Sequence, residues 1–355
     1  MERFGWKVSG TRMLHGFRVS KVGQISDLSI CLLAALSVLP MAAQQDPTIR
    51  VDVQLVRILA TVKDPNGALV GSLEKSDFAV RDNGALQQIS VFERQTDQPL
   101  SVAVMIDNSG STAKDLKFEA DSVMRFVRAL FREGNPDDSA TLFSFNWEIV
   151  KQTGYTRSLP TFERKVRALH GEAGTSLYDA ILLASRDIEG RQGRKVLVIV
   201  TDGGDTTSHT DFNRAIEAAQ LADAVIYPIL VVPITNDAGR NTGGENALTT
   251  MSLRTGGRVF QPTLGAELDN AFDQILRDLR TQYLIAYYPK DVPLNKDRFH
   301  QLQVSVRDPA LHVTARSGYY GEAEQSAGSS GPVGDISDET LRARKPVPAN
   351  KPKGQ

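Results

Sequence analysis

The sequence predicts an α/β protein in which a doubly wound parallel sheet is inserted into a small β-sandwich built from both chain ends. Three observations predict it. Four short, near-continuous apolar runs, Ser101–Ile106, Ala140–Phe145, Lys195–Val200 and Asp223–Val232, have the character of strands buried on both faces. Apolar positions at helical spacing lie between and after these runs. On either side, over 48–97 and 283–320, apolar and polar residues alternate with period two, as half-buried strands do.

The chain opens with Arg3, Lys7, Arg12, Arg18 and Lys21, set against only Glu2 and Asp27 before residue 28. An apolar run, Leu28–Leu39, follows, then Pro40 and Met41-Ala42-Ala43. A basic stretch, a short apolar core and small residues predict a secretory signal peptide over 1–43, cut after Ala43. The apolar run falls short of the roughly 20 residues that span a bilayer; the alternative is an uncleaved N-terminal anchor, the only membrane contact expected. The basic stretch is long for a leader, so Met13 is an alternative start. The expected address is secreted, periplasmic or cell envelope. Cys31, the one cysteine, lies inside this leader, so neither a disulfide framework nor a cysteine-based metal site is expected.

In the first strand zone Val51, Val53 and Leu55 alternate with polar residues, and the phase then slips to Val56, Ile58, Ala60 and Val62, predicting a bulge. Asp64-Pro65-Asn66-Gly67 and Asp82-Asn83-Gly84 are turn signals. Within 98–282, Phe118, Val123, Phe126, Val127 and Leu130 are placed on one helix face. Leu177, Ala180, Ile181 and Ala184 form a second such face, Phe212, Ile216 and Ala219 a third, and Leu268, Phe272, Ile275 and Leu279 a fourth. Strands alternating with helices predict a doubly wound domain. Strands resume at Tyr283–Tyr288, at Leu302, Val304 and Val306, and at Leu311, Val313 and Ala315. Neither flanking zone is long enough to bury a core alone, so the two are expected to fold together. Residues 321–355, rich in Gly, Ser, Pro and charge without periodicity, predict a disordered tail.

With 41 Lys and Arg against 42 Asp and Glu, and 41% hydrophobic residues, the composition excludes a collagenous, disordered or polytopic membrane chain. It also argues against nucleic-acid binding as the main activity.

The residues that carry chemistry lie where the strands end. The first buried run leads into Asp107-Asn108-Ser109-Gly110-Ser111, and the third into Thr201-Asp202-Gly203-Gly204-Asp205. In open α/β sheets, function gathers beyond the carboxyl ends of the strands. Gly174-Thr175-Ser176 adds a hydroxyl at a helix start. The carboxylates of Asp107 and Asp202, with the hydroxyls of Ser109, Ser111 and Thr175, form a hard oxygen set suited to Mg2+ or Mn2+. Only two charges would face the ion, which leaves it electron-poor and able to accept a further carboxylate. Asp107 is expected at a solvent edge outside the core.

Asp107-x-Ser109-x-Ser111, Thr175 and Asp202 resemble the metal-ion-dependent adhesion site of von Willebrand factor type A (VWFA) domains, in order and in strand–loop–helix context. The resemblance covers about 98–282. It implies a Rossmann-like, non-enzymatic module that captures a protein ligand, whose Asp or Glu completes the shell of the divalent cation. The flanks resemble secreted bacterial proteins with a VWFA-related domain known from acidobacteria, through Asp77-Phe78, Asp82-Asn83-Gly84 and Arg316-Ser317-Gly318-Tyr319-Tyr320. The inserted arrangement is similar to that of the integrin β subunit.

Other readings compete. Ser109 and Ser111 can act only as helix caps, and Asp202 only as a turn residue. In a structural reading the cation merely staples the loops. In a hydrolase reading, Ser176 is a subtilisin-like nucleophile. The only histidine between Asp107 and Ser176 is His170, and it lacks the small-residue helix that this chemistry needs. Phosphoryl transfer on Asp107 would need an acid at 109, where Ser stands, and no GxxxxGK[ST] or GxGxxG fingerprint occurs. His209, His300 and His312 are read as surface or strand residues, and Trp147 as an aromatic at the core edge.

Overall fold

The computed structural model describes residues 55–94, 98–110, 112, 116–231, 242–262, 265–293 and 298–321. All of them fall within one of two compact units, Val53–Gln355. The expected leader over 1–43, the start of the first strand zone, Ser111 and the expected tail beyond 321 lie outside the described residues.

The chain first forms β1 (Val56–Lys63), β2 (Phe78–Asp82), β3 (Ala85–Gln87) and β4 (Val91–Glu93). The expected turns are present. Asp64 Oδ1 accepts the N–H groups of Asn66 and Ala68 at 2.9 and 2.8 Å, which closes the turn after β1. Asn83 (φ 46°) and Gly84 (φ 85°) join β2 to β3. Two successive left-handed residues give the hairpin turn whose twist matches the flanking strands. The phase slip at 55–56 falls at the limit of the described residues.

The central sheet follows: β5 (Leu100–Asp107), β6 (Ser139–Phe145), β7 (Ile149–Lys151), β8 (Arg194–Thr201) and β9 (Ala224–Leu230), in the order β7-β6-β5-β8-β9. All pairs are parallel except β6–β7. Every residue of β5 and β6 is buried, because helices cover both faces. On one face Val102, Val104 and Ile106 pack with α1 (Leu116–Glu133), α2 (Leu159–Arg167) and, late in the chain, α6 (Ala266–Thr281). On the other, Ala103 and Met105 pack with α3 (Leu177–Glu189), α4 (Phe212–Leu221) and α5 (Thr242–Thr255). The alternation along one strand therefore sorts six helices into two layers.

Phe118 departs from the expectation. It is 55% exposed. At about 100° per residue it stands about 140° from Val123, and Leu116, which is buried, occupies the start of the apolar stripe instead. Val123, Phe126, Val127 and Leu130 do face the sheet.

After α6 come β10 (Tyr283–Tyr287), β11 (Phe299–Val306), β12 (His312–Ala315) and β13 (Gly318–Tyr320). They join the early strands in two four-stranded antiparallel sheets, ordered β12-β1-β10-β4 and β13-β11-β2-β3. Residues of both sheets, among them Ile58, Val80, Ile285 and Leu302, share one apolar cluster. One carboxylate, Asp82, lies fully buried beside it. It accepts hydrogen bonds from the hydroxyls of Tyr287 and Tyr319 at 2.7 and 2.8 Å, and His300 Nδ1 stands 3.0 Å from its other oxygen. Buried polar groups must be satisfied in this way. His300 is thus a strand residue engaged with Asp82.

Candidate metal centre at the switch point of the central sheet

The chain leaves β5 toward β6 on one side and returns as β8 on the other. The strand order reverses between β5 and β8, and a crevice opens at their carboxyl ends, the place where open α/β sheets bind ligands. The register pairs Ile106 with Val200. Asp107 therefore lies level with Thr201, and Asp202 is one step beyond.

Asp107 is 0% exposed, so the expected solvent edge is corrected to a buried position. Its Oδ1 accepts the Ser109 N–H at 2.9 Å, and its Oδ2 accepts the Thr201 hydroxyl at 2.6 Å. Burial pushes the Asp107 carboxyl up to about 6, these hydrogen bonds oppose the shift, and the charge of Asp202 adds to it. Among the described residues neither Asp107 nor Asp202 forms an ion pair. Asp202 turns one oxygen back to the Gly204 N–H at 3.2 Å. Gly203, at φ 89°, takes a left-handed conformation that lets the chain turn directly after the strand.

The loop before α3 is tied to the same edge. Ser109 pairs with Glu172 as a parallel bridge, and the Glu172 N–H donates to the Asn108 carbonyl at 3.0 Å. Three residues on, the Thr175 carbonyl accepts the N–H groups of Thr206 and Thr207 at 2.8 and 3.1 Å, and its own N–H donates to Thr206 Oγ1 at 3.0 Å. The structure thus gathers Asp107, Ser109, Thr175 and Asp202 at one end of the sheet. Ser111 is outside the described residues.

Four supporting residues were not legible as such. Thr201 holds Asp107 through its hydroxyl, and Thr112 Oγ1 donates to the Asp107 carbonyl at 2.7 Å. Thr206 and Glu172 anchor the Thr175 loop. The register supplies the one available signal, since Thr201 directly precedes Asp202 and must lie opposite Asp107. A Thr201→Val protein should keep its fold and lose roughly 10- to 100-fold in Mn2+ affinity, the usual cost of removing a group that orients a ligand. Titration followed by electron paramagnetic resonance checks this, and unchanged affinity would reject the role.

Among the described residues, no three His, Cys, Asp or Glu side chains cluster where a metal could sit. The donor set here is different: two carboxylates and neutral hydroxyls. A buried carboxylate without an ion-pair partner, its pKa raised further by a second carboxylate, is a site lacking positive charge, and a hard divalent cation fits it. Asp107 and Asp202 would supply the charge, with Ser109, Ser111 and Thr175 as neutral oxygens. When bound, the ion offers Lewis acidity toward an incoming oxygen. The Thr201 hydroxyl and the Ser109 N–H hold the Asp107 carboxylate, and the Thr175 and Thr206 contacts keep the loop before α3 in place.

Ser176 does not resemble a nucleophile. It is 0% exposed, and its Oγ shares a hydrogen bond with Thr207 Oγ1 at 2.7 Å and reaches the Trp147 carbonyl at 3.4 Å. The His170 side chain is 81% exposed and stands 3.8 Å from Glu172. Trp147 donates to the same Glu172 at 2.8 Å.

No curated protein matches the chain. The solved vWF domain of the type V pili tip protein Mfa5 from Porphyromonas gingivalis is similar at 17% identity and TM-score 0.44, over 51% of this chain and 94% of that one. The conserved hypothetical protein BatB from Bacteroides thetaiotaomicron is similar at 18% identity and TM-score 0.40, over 51% and 98%. The PilB minor pilin from Streptococcus sanguinis is similar at 13% identity and TM-score 0.41, over 53% and 62%. Residues 102–205, the stretch that contains Asp107, Thr175 and Asp202, match the model of the von Willebrand factor type A domain.

Proposed function

We propose that this chain is a secreted or envelope-held binding module without chemistry of its own. It captures a protein ligand through Mg2+ or Mn2+ held by Asp107, Ser109, Ser111, Thr175 and Asp202, and the ligand contributes an Asp or Glu carboxylate. The observation that carries this reading is the pair of carboxylates at the β5/β8 switch point, surrounded by hydroxyls and unpaired with any cation among the described residues. VWFA domains commonly mediate protein–protein interaction and adhesion, which supports the same reading. We also propose that the VWFA domain interrupts one β-sandwich formed by the two flanking zones, and that a cleaved leader over 1–43 directs export. Among the described residues no helix is long and apolar enough to cross a membrane.

The test is capture of envelope proteins by the immobilised chain, with Mg2+ and with chelator. Chelation should release the bound partners. If the cation only staples loops, chelation lowers the melting temperature and the partners stay. Retention of the same partners in chelator would overturn the adhesion reading even where the metal binds.

A further inference from the structure

Beside the candidate cation site the surface dips between the start of α1 and the end of α2. The groove there measures about 450 Å³. Leu116, Ala120 and Val166, all buried, form its apolar floor with the half-buried Leu169, and Lys117 and His170 stand exposed at its rim. Leu116, Ala120 and Val166 belong to the core on that face of the central sheet, so the floor is fixed by packing. Among the described residues no carboxylate lines it.

Two contacts tie the groove to the cation ligands. Asn108 Nδ2 donates to the His170 carbonyl at 2.7 Å, and Ser109 bridges Glu172. The His170 end of the groove therefore lies two residues along the chain from the bridge at Ser109, about 7 Å at the rise of an extended strand. In an extended ligand, side chains i and i+2 point to the same face, and they too are about 7 Å apart. A segment whose carboxylate reaches the ion beside Ser109 brings a side chain two positions away to the groove.

The charge around the groove selects the kind of segment. The last turn of α2 carries Arg164, Lys165 and Arg167. Arg167 lines the groove but is neutralised by Asp121 and Glu163, and Glu163 also meets Arg128. Those two acids are thus engaged. Lys117, Arg164 and Lys165 make no ion pair or side-chain hydrogen bond among the described residues. Their charge remains to attract an acidic partner. The apolar floor adds a second requirement, because a wholly polar segment would leave it wet.

We infer that this groove takes an aliphatic side chain of the partner protein, two positions from the Asp or Glu that completes the cation's shell, within an extended acidic segment. This rests on the cation-dependent capture proposed above and names the sequence that the site selects.

A random heptapeptide library displayed on phage tests it, selected on the immobilised full chain in Mn2+ and eluted with chelator. The eluted pool should be enriched in Asp or Glu with Leu, Ile, Val or Met two positions away. A synthetic peptide from that pool should lose about tenfold in affinity when its aliphatic residue is replaced by Ser, and again when the chain carries Leu169→Ser. Lys117→Glu, at an exposed position, should weaken it about threefold or more at low salt, and it serves where Leu169→Ser does not fold. Both variants should bind Mn2+ as the wild type does, since neither residue is a cation ligand. A chelator-released pool rich in acid but without an aliphatic residue at that spacing overturns the groove contact and leaves the cation reading standing. So does unchanged peptide affinity in a folded Leu169→Ser or in Lys117→Glu. A pool without enriched acid, or one that chelator does not release, defeats the cation reading and this inference with it.

Discussion

An Asp107→Asn protein binds no Mg2+ or Mn2+ at concentrations that saturate the wild type, and its cation-free form melts at the same temperature or several degrees higher. Both outcomes follow from the burial of Asp107. The carboxylate is fully enclosed, and its pKa rises from an ordinary value near 3.8 to about 6. Burial thus favours the neutral form by about 3 kcal/mol. Asn is neutral and nearly isosteric, and it retains polar atoms toward the Ser109 N–H and the Thr201 hydroxyl. Alanine is the poorer test, because it would strand both of those groups in a buried place. Calorimetric titration with Mn2+ and thermal unfolding without metal decide the matter. Retained cation binding, or a loss of ten degrees in the metal-free form, would reject the assignment.

The same shift fixes a pH dependence. The folded carboxyl titrates above its unfolded value, so its neutral form favours the fold. That contribution is full below about 3.8 and is lost as pH rises through about 6. Cation-free wild type should therefore show a falling component of stability between about pH 4 and 6 that Asp107→Asn lacks. With cation present the order reverses: protons compete for Asp107, and binding weakens as pH falls below about 6.

The central strands β5, β6, β8 and β9 were legible because burial on both faces leaves an unbroken apolar run in the sequence. The edge strand β7 was not, because three residues carry no period, and only its antiparallel pairing with Phe143, Ser144 and Phe145 of β6 defines it. Helix α5 is hard to read in the sequence for a related reason. It has Gly243 and Gly244 in its first turn and only Leu248 and Met251 in the core. Helix α2 buries just Phe162 and Val166. At the site, Asp107 and Asp202 could be read because a carboxylate directly after an apolar run has few structural uses. Thr201, Thr112 and Thr206 could not be. Threonine is ordinary in strands and turns, and the bond from Thr201 to Asp107 spans 94 residues of chain. The burial of Asp107 was likewise invisible, since it depends on the loops folding back over the strand end.

A fragment covering 98–282 folds cooperatively, whereas 48–95 alone stays unfolded. The reason lies in which strands supply each other's partners. β1 lies between β10 and β12, and β4 pairs with β10. β2 lies between β11 and β3. Of the strand pairings among the described residues, the isolated 48–95 fragment keeps the β2–β3 hairpin and the turn that joins Lys63 to Leu69, and a two-stranded hairpin is marginal in water. Val56, Ile58, Val62, Phe78 and Val80 would lose the apolar cluster that Tyr283, Ile285, Tyr287 and Leu302 complete. The fragment 98–282 retains all five central strands and both helix layers, including the Phe126–Phe272 contact between α1 and α6 at 4.9 Å. Circular dichroism with urea unfolding measures both fragments. A cooperative transition in 48–95, or its absence in 98–282, would mean that the two flanking zones do not depend on each other as the strand order requires.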